Sequence, residues 1–209
     1  MSPLYAILDT TLAIQRGYEP VDLARRFFDG GARLVQLRAK DAPSGQLLAW
    51  ADGMCAAARE CGAAVIINDR ADIALMAGAA GVHLGQEDMP PEAVRRAAAG
   101  KPLQIGLSTH TTAQVAAAAG APVDYIAIGP VFGTTTKETG YKAVGLATVE
   151  AAVRGAAGRP VVAIGGITLE TAPSIVAAGA SSVAVISDLL VDDPEARVAE
   201  YLKALGHRP

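Results

Sequence analysis

The chain has 209 residues, 18 of them basic and 21 acidic; 51% are hydrophobic, 19% charged and 4% aromatic. A mean hydropathy of +0.30 excludes a mainly disordered chain. The net charge of −3 excludes a polycation for nucleic acid or anionic membrane, and the scarcity of aromatics argues against a base-stacking surface.

The first apolar run, residues 4–8, stops at Asp9 and reads as a strand. A helical pattern over 21–28 ends at Gly30-Gly31 and leads to a strand over 34–37. A long amphipathic helix over 44–61 ends at Gly62, and a strand over 65–67 runs into Asn68-Asp69. Next come a short helix over 70–78 with Asp69 placed to cap it, a strand over 81–84, and a helix over 90–99 opened by proline. Strands over 103–107, 125–128, 161–164 and 183–186 then alternate with helices over 111–119, 146–156, 169–178 and 194–205. Short continuous apolar runs are the mark of strands covered on both faces, and their alternation with helices implies a parallel sheet. Eight such strands with eight helices predict one single-domain α/β protein, a (β/α)8 TIM barrel over residues 1–209. A doubly wound open sheet is the alternative. No linker or low-complexity tract divides the chain. The N-terminus lacks a signal-peptide pattern, and no run approaches the roughly 18 apolar residues of a membrane span. A soluble cytoplasmic protein is therefore expected, without nucleic-acid or membrane partners. Its state as monomer or homo-oligomer is left open. Cys55 and Cys61 read as ordinary thiols.

A barrel of this kind carries its active site at the C-terminal strand ends, where the polar residues are chemically coherent. Gln36, Arg38 and Lys40 alternate with Leu37 and Ala39, so strand geometry puts an amide and two cations on one face, suited to a phosphate or diphosphate. Asp69 and Asp88 follow adjacent strands; as a pair they form a hard oxygen donor set suited to Mg²⁺, whereas either alone could be a helix cap. Ser108-Thr109-His110 offers hydroxyls and a proton carrier, while His83 within its strand reads as structural and His207 as an exposed tail residue. Residues 129–137 place Thr134, Thr135, Thr136 and Lys137 in a Gly-bounded loop that reads as an anion-binding lid. Gly165-Gly166 and Ser187 follow strands seven and eight, the usual phosphate site of such barrels. A cationic set, a carboxylate pair and a separate neutral cradle describe two phosphorylated substrates, one of them losing diphosphate. There is no Ser–His–Asp set, HExxH motif or GxGxxG after the first strand.

At these residues the chain resembles the thiamine phosphate synthase family, related to thiazole tautomerase. The resemblance runs in order through Gln36-Leu37-Arg38-Ala39-Lys40, Asn68-Asp69-Arg70, Gly81 to Asp88, Gly106-Leu107-Ser108, Gly129-Pro130-Val131-Phe132, Thr134 to Lys137, Gly165-Gly166-Ile167 and Ile186-Ser187. It implies a Mg²⁺-dependent transferase of thiamine biosynthesis joining a hydroxymethylpyrimidine diphosphate to a thiazole phosphate, with release of diphosphate. By the same resemblance Gln36, Arg38, Lys40, Asn68, Ser108 and Lys137 hold the pyrimidine diphosphate, and Arg38, Lys40, Lys137 and Ser108 serve catalysis. Asp69 and Asp88 hold Mg²⁺, and Thr134, Thr136, Gly166, Ile186 and Ser187 hold the thiazole phosphate. Gly133 and Asp188 depart from the family pattern, and an inward-pointing Asp188 would repel that phosphate. The rival readings are the tautomerase, with His110 as its acid–base, and a non-catalytic barrel that binds a phosphorylated ligand.

Overall fold

The structure, a computed structural model, describes residues 1–133 and 142–206. Its strands are β1 (Leu4–Asp9), β2 (Leu34–Arg38), β3 (Ala64–Asn68), β4 (Gly81–Leu84), β5 (Gln104–Thr109), β6 (Tyr125–Ile128), β7 (Val161–Ile164) and β8 (Ser182–Val185). Each pairs in parallel with the next and β8 pairs with β1, closing the expected eight-stranded barrel and setting aside the open sheet. The strands alternate with α1 (Thr10–Gln15), α2 (Pro20–Asp29), α3 (Ser44–Cys61), α4 (Ala71–Ala77), α5 (Pro91–Ala98), α6 (Thr112–Gly120), α7 (Gly145–Gly155), α8 (Ala172–Ala177) and α9 (Pro194–Ala204).

Period-two alternation sorts each strand into two sets of side chains. On β1, Leu4, Ala6 and Leu8 join the layer between barrel and helices, which also takes Val35, Leu37, Val65, Ile67, Val82 and Leu84 from β2 to β4. Tyr5 and Ile7 face the interior, with Ile66, Tyr125, Ala127, Val162 and Ala184. The outer layer is the larger store of stability, since each fully buried Leu, Ile, Val or Phe contributes roughly 1.5–3 kcal/mol. Helix α2 shows how a helix joins it. Glu19 accepts from the Val21 and Asp22 backbone N–H groups, Pro20 opens the first turn, and Leu23, Ala24, Phe27 and Phe28 make the buried stripe.

Four local expectations are corrected. Helix α1 was not foreseen: six residues are too few to show a period, and its start is set by Asp9, whose Oδ1 accepts from Leu12 N at 3.1 Å. Asp69 does not cap α4; Arg70 occupies that position, without a side-chain cap, and Asp69 stands at φ +63°. Helix α8 begins at Ala172 rather than 169, because Thr168 N donates to Thr171 Oγ1 at 2.9 Å and holds the preceding residues in a turn. Strand β8 ends at Val185, because Ile186 (φ −115°, ψ −85°) leaves extended geometry and opens a 3-10 turn over Ser187–Leu189. No helix among the described residues is long and apolar enough to cross a membrane.

Candidate active site

The inward phase of all eight strands opens into one cavity of about 910 Å³, its open mouth included. Seven of the residues that the resemblance assigns to the substrates line it: Gln36, Arg38, Asn68, Ser108, Gly166, Ile186 and Ser187. Strand phase explains most of them. Gln36 and Arg38 continue the inward parity of Leu34, Asn68 that of Ile66, and Ile186 that of Ala184. Thr134, Thr136 and Lys137 lie outside the described residues.

Below the mouth the barrel is crossed by a chain of polar groups instead of the usual aliphatic layer. Gln36 Nε2 donates to Tyr5 Oη at 2.8 Å, Tyr5 and Tyr125 share a hydroxyl contact at 3.0 Å, Tyr125 Oη lies 2.9 Å from His83 Nδ1, and His83 Nε2 lies 2.9 Å from Ser108 Oγ. Donor counting gives this chain a direction. An amide nitrogen only donates, so Tyr5 accepts from Gln36 and sends its own proton to Tyr125. Tyr125 then donates to His83 Nδ1, which makes His83 the Nε2–H tautomer and a donor to Ser108. Ser108, at the end of this chain, lines the cavity. Burial raises the Tyr5 phenol well above its ordinary range; burial, then the neighbouring Tyr5, does the same to Tyr125, so both remain neutral donors. Gly106 makes room for this arrangement: it pairs with Tyr125 across the ladder, and a Cβ there would fall 2.0 Å from Tyr125 Cζ. The Tyr125 ring then stacks on His83, centroids 5.5 Å apart, and meets Tyr5 edge-on at 6.0 Å.

One rim of the mouth is ionic. Arg38 pairs with the buried carboxylate of Asp9, its register partner on β1, through Nη1 and Oδ2. Lys40 departs from expectation: β2 ends at Arg38, so strand alternation does not carry Lys40 into the cavity. Its half-exposed side chain instead reaches Asp69 Oδ2 at 3.6 Å. Asp69 and Asp88 are brought together, as the sequence implied, within hydrogen-bonding reach. The Asp69 N–H donates to the His83 carbonyl at 2.8 Å and Asp88 Oδ2 accepts from Gly85 N at 2.6 Å, so each carboxylate is set by the backbone of β4 or its loop. Burial and then the Asp88 carboxylate push the Asp69 carboxyl above the usual range, with Lys40 pulling the other way. Asp69 stands in the left-handed region at φ +63°, which Asp tolerates better than most residues. The two clustered carboxylates form a hard oxygen donor pair of the kind Mg²⁺ takes, for one of which the Lys40 ammonium competes.

Among the described residues, the opposite rim carries no charged side chain into the cavity. Gly165 and Gly166 stand at φ +102° and +63°, and a Cβ on Gly166 would fall 2.4 Å from the Gly133 carbonyl oxygen, so glycine is required for this turn after β7. Ser187 follows β8 beside it. Asp188 does not point at this cradle. Its Oδ2 faces outward, accepting from Arg197 Nη2 at 3.0 Å, Leu169 N at 3.2 Å and the Tyr201 hydroxyl. His110 lines the mouth, and its Nδ1–H donates to the Gly129 carbonyl at 2.6 Å, which leaves the lone pair of the neutral ring on Nε2.

The sequence reading missed Asp9, Tyr5 and Tyr125 and gave His83 a structural role only. Inward parity with Gln36 and Ser108 was the available signal. A tyrosine in an inward phase is easily taken for packing.

A family model described as thiamine monophosphate synthase matches residues 4–189. The chain belongs to the thiamine monophosphate synthase family. A thiamine-phosphate synthase of Koribacter versatilis is 42% identical over 207 residues, covering 97% of this chain and 95% of the relative. The one from Thermus thermophilus is 42% identical over 184 residues, covering 88% of this chain and 87% of its own. Among solved structures, the thiamine phosphate pyrophosphorylase of Pyrococcus furiosus superposes with a TM-score of 0.87 at 31% identity, over 97% of this chain and 95% of that one. The family match spans the elements that build the cavity, β1 to β8.

Proposed function

We propose that this chain is a thiamine phosphate synthase: it joins 4-amino-2-methyl-5-(diphosphomethyl)pyrimidine to a thiazole phosphate, forming thiamine phosphate and diphosphate. The observation that carries this reading is the 42% identity to a thiamine-phosphate synthase over 97% of the chain. The geometry supports it, with an ionic rim and a neutral cradle facing each other across a cavity walled by aromatic and aliphatic groups. Residues 1–209 act as one catalytic barrel in the cytoplasm, on small-molecule phosphorylated substrates.

In this reading the diphosphate lies against Arg38, Lys40, Asn68, Ser108 and Lys137, with Gln36 beneath. The thiazole phosphate lies against Gly166, Ile186, Ser187, Thr134 and Thr136. The methylene C–O bond breaks and its electron pair leaves with diphosphate, giving a pyrimidine-methyl cation that the ring amino group stabilises. The thiazole nitrogen lone pair then forms the new C–N bond. No protein nucleophile is required. Arg38 and Ser108 line the cavity in which charge develops on the leaving oxygens, and Lys40 stands at its rim beside Asp69. Asp69 and Asp88 would hold Mg²⁺, which when bound neutralises further charge on the diphosphate. The aromatic and aliphatic walls exclude water from a cation it would otherwise capture.

The relatives named above favour this reading over the tautomerase and the non-catalytic barrel. The test is to mix pyrimidine diphosphate and thiazole phosphate with the protein, in Mg²⁺ or EDTA, and to quantify diphosphate and thiamine phosphate together. Metal-dependent formation of both in equal amounts is expected. Neither product from folded protein would overturn the synthase and bring forward the tautomerase with His110 as its acid–base.

A further inference from the structure

Asp188 stands next to Ser187 at the neutral cradle, yet its Oδ2 is engaged by three groups outside the cavity. Its Oδ2 accepts from Leu169 N at 3.2 Å, three residues beyond Gly166 on the loop after β7. The same oxygen accepts from Arg197 Nη2 at 3.0 Å and from the Tyr201 hydroxyl, both on α9. Arg197 also grips the residue by its main chain, Nε donating to the Asp188 carbonyl at 3.2 Å. One carboxylate therefore ties together three pieces of chain: the loop bearing Gly165-Gly166, the turn bearing Ile186-Ser187, and the last helix.

The two halves of the cradle come from different strands, β7 and β8, whose ladder pairing ends at Ile164 and Ala184, before the turns begin. Phosphate recognition by backbone N–H and hydroxyl groups needs them held to about 0.5 Å. The Arg197 guanidinium, itself anchored to Glu200 at 3.0 Å, matches the Asp188 charge on the side away from the cavity. The carboxylate thus sits beside an anion site without repelling its ligand.

We propose that Asp188 is a positioning residue for the thiazole phosphate, locking the loops after β7 and β8 into register through Leu169 N, Arg197 and Tyr201. This rests on the assignment of the cradle under the proposed function and adds a residue that acts on the ligand only through its neighbours.

The test uses the full chain and three variants, Asp188→Ala, Asp188→Asn and Tyr201→Phe, each first checked for folding by circular dichroism and thermal melting. Calorimetric binding of thiazole phosphate is measured beside binding of the dephosphorylated thiazole alcohol, together with steady-state KM for both substrates and kcat. Asp188→Ala should weaken thiazole phosphate binding about 10-fold and raise its KM to match, leaving thiazole alcohol binding, the KM for pyrimidine diphosphate and kcat within about 2-fold. Asp188→Asn keeps an acceptor oxygen in the place of Oδ2 but loses the charge, and should fall between Asp188→Ala and the unaltered chain. Tyr201→Phe removes a single donor and should weaken phosphate binding about 2–3-fold, which keeps the inference testable if the Asp188 variants fail to fold. Equal loss for phosphate and alcohol, or a general fall in kcat and both KM values, would mean a merely structural role and overturn the inference. So would unchanged binding of the phosphate. If the unaltered chain neither binds thiazole phosphate nor makes thiamine phosphate, the functional reading falls and this inference with it. If it does both while the variants match it, only the inference falls.

Discussion

The Asp9–Arg38 pair gives the sharpest numerical expectation. Both carboxylate oxygens of Asp9 are in use: Oδ1 caps α1 at Leu12 N, and Oδ2 accepts from Arg38 Nη1. The two functions separate energetically. Loss of an N-cap costs about 1 kcal/mol. Leaving a buried cation without its partner costs about 3–5 kcal/mol, and Arg38, which lines an open cavity, belongs at about 3. Asp9→Ala should therefore lose about 4 kcal/mol. Asp9→Asn has one acceptor for two donors; it should keep the contact that costs more to lose, with Arg38, give up the cap and the charge, and lose about 2–3 kcal/mol. Arg38→Ala strands the Asp9 carboxylate but keeps the cap, at about 3 kcal/mol. In the double variant Asp9→Ala/Arg38→Ala neither charge is stranded, so the loss should be near that of the cap and some packing, about 1–2 kcal/mol rather than the sum of about 7. Urea unfolding followed by circular dichroism, with an unchanged m-value, measures all four. Additive losses in the double variant, within about 0.5 kcal/mol, would show that the pair carries no coupling and that the accounting is wrong.

Three further expectations follow from other parts of the barrel. Tyr125→Phe leaves the Tyr5 hydroxyl without an acceptor and His83 Nδ1 without its donor, at about 1–3 kcal/mol each. It should also lower kcat, because His83 is no longer held as the tautomer that orients Ser108; an active, equally stable variant would refute the directed chain. Mg²⁺ should raise the thermal midpoint by relieving the Asp69–Asp88 repulsion, and Asp69→Asn should abolish that shift in differential scanning fluorimetry. Burial pushes the Cys55 thiol from 9.0 to about 11. At pH 8 it should resist iodoacetamide in the native protein and react only on unfolding, as read by peptide mass. The unfolded thiol ionises near pH 9 and the folded one near 11, so its contribution to stability is complete below pH 9 and is lost as pH rises to about 11. Over that interval the unaltered chain should lose about 2–3 kcal/mol more than Cys55→Ala does.

How much of this was legible beforehand follows from the range of the interactions involved. The strands were legible because a parallel barrel buries both faces, and the apolar runs before Asp9, Asn68, Gly85 and Ser187 need no distant information. The face on which Gln36, Arg38 and Asn68 lie was legible for the same reason, since parity is local. Lys40 shows where parity stops, two residues past the end of β2. The partners were not legible. Tyr5 meets Tyr125 across 120 residues, and Asp9 reaches Arg38 across 29, distances that only closure of the barrel removes. Asp188 makes the point most plainly: from the sequence its charge counted against phosphate binding, and its actual effect depends on Arg197 and Tyr201, which approach it from a helix on the far side of the loop. Local pattern decides which way a side chain points from its strand, whereas its chemistry is decided by which donor or acceptor it meets there. In this barrel those meetings form an ordered series. The amide nitrogen of Gln36 donates to Tyr5, and the two phenols and His83 carry the connection on to Ser108, three strands away.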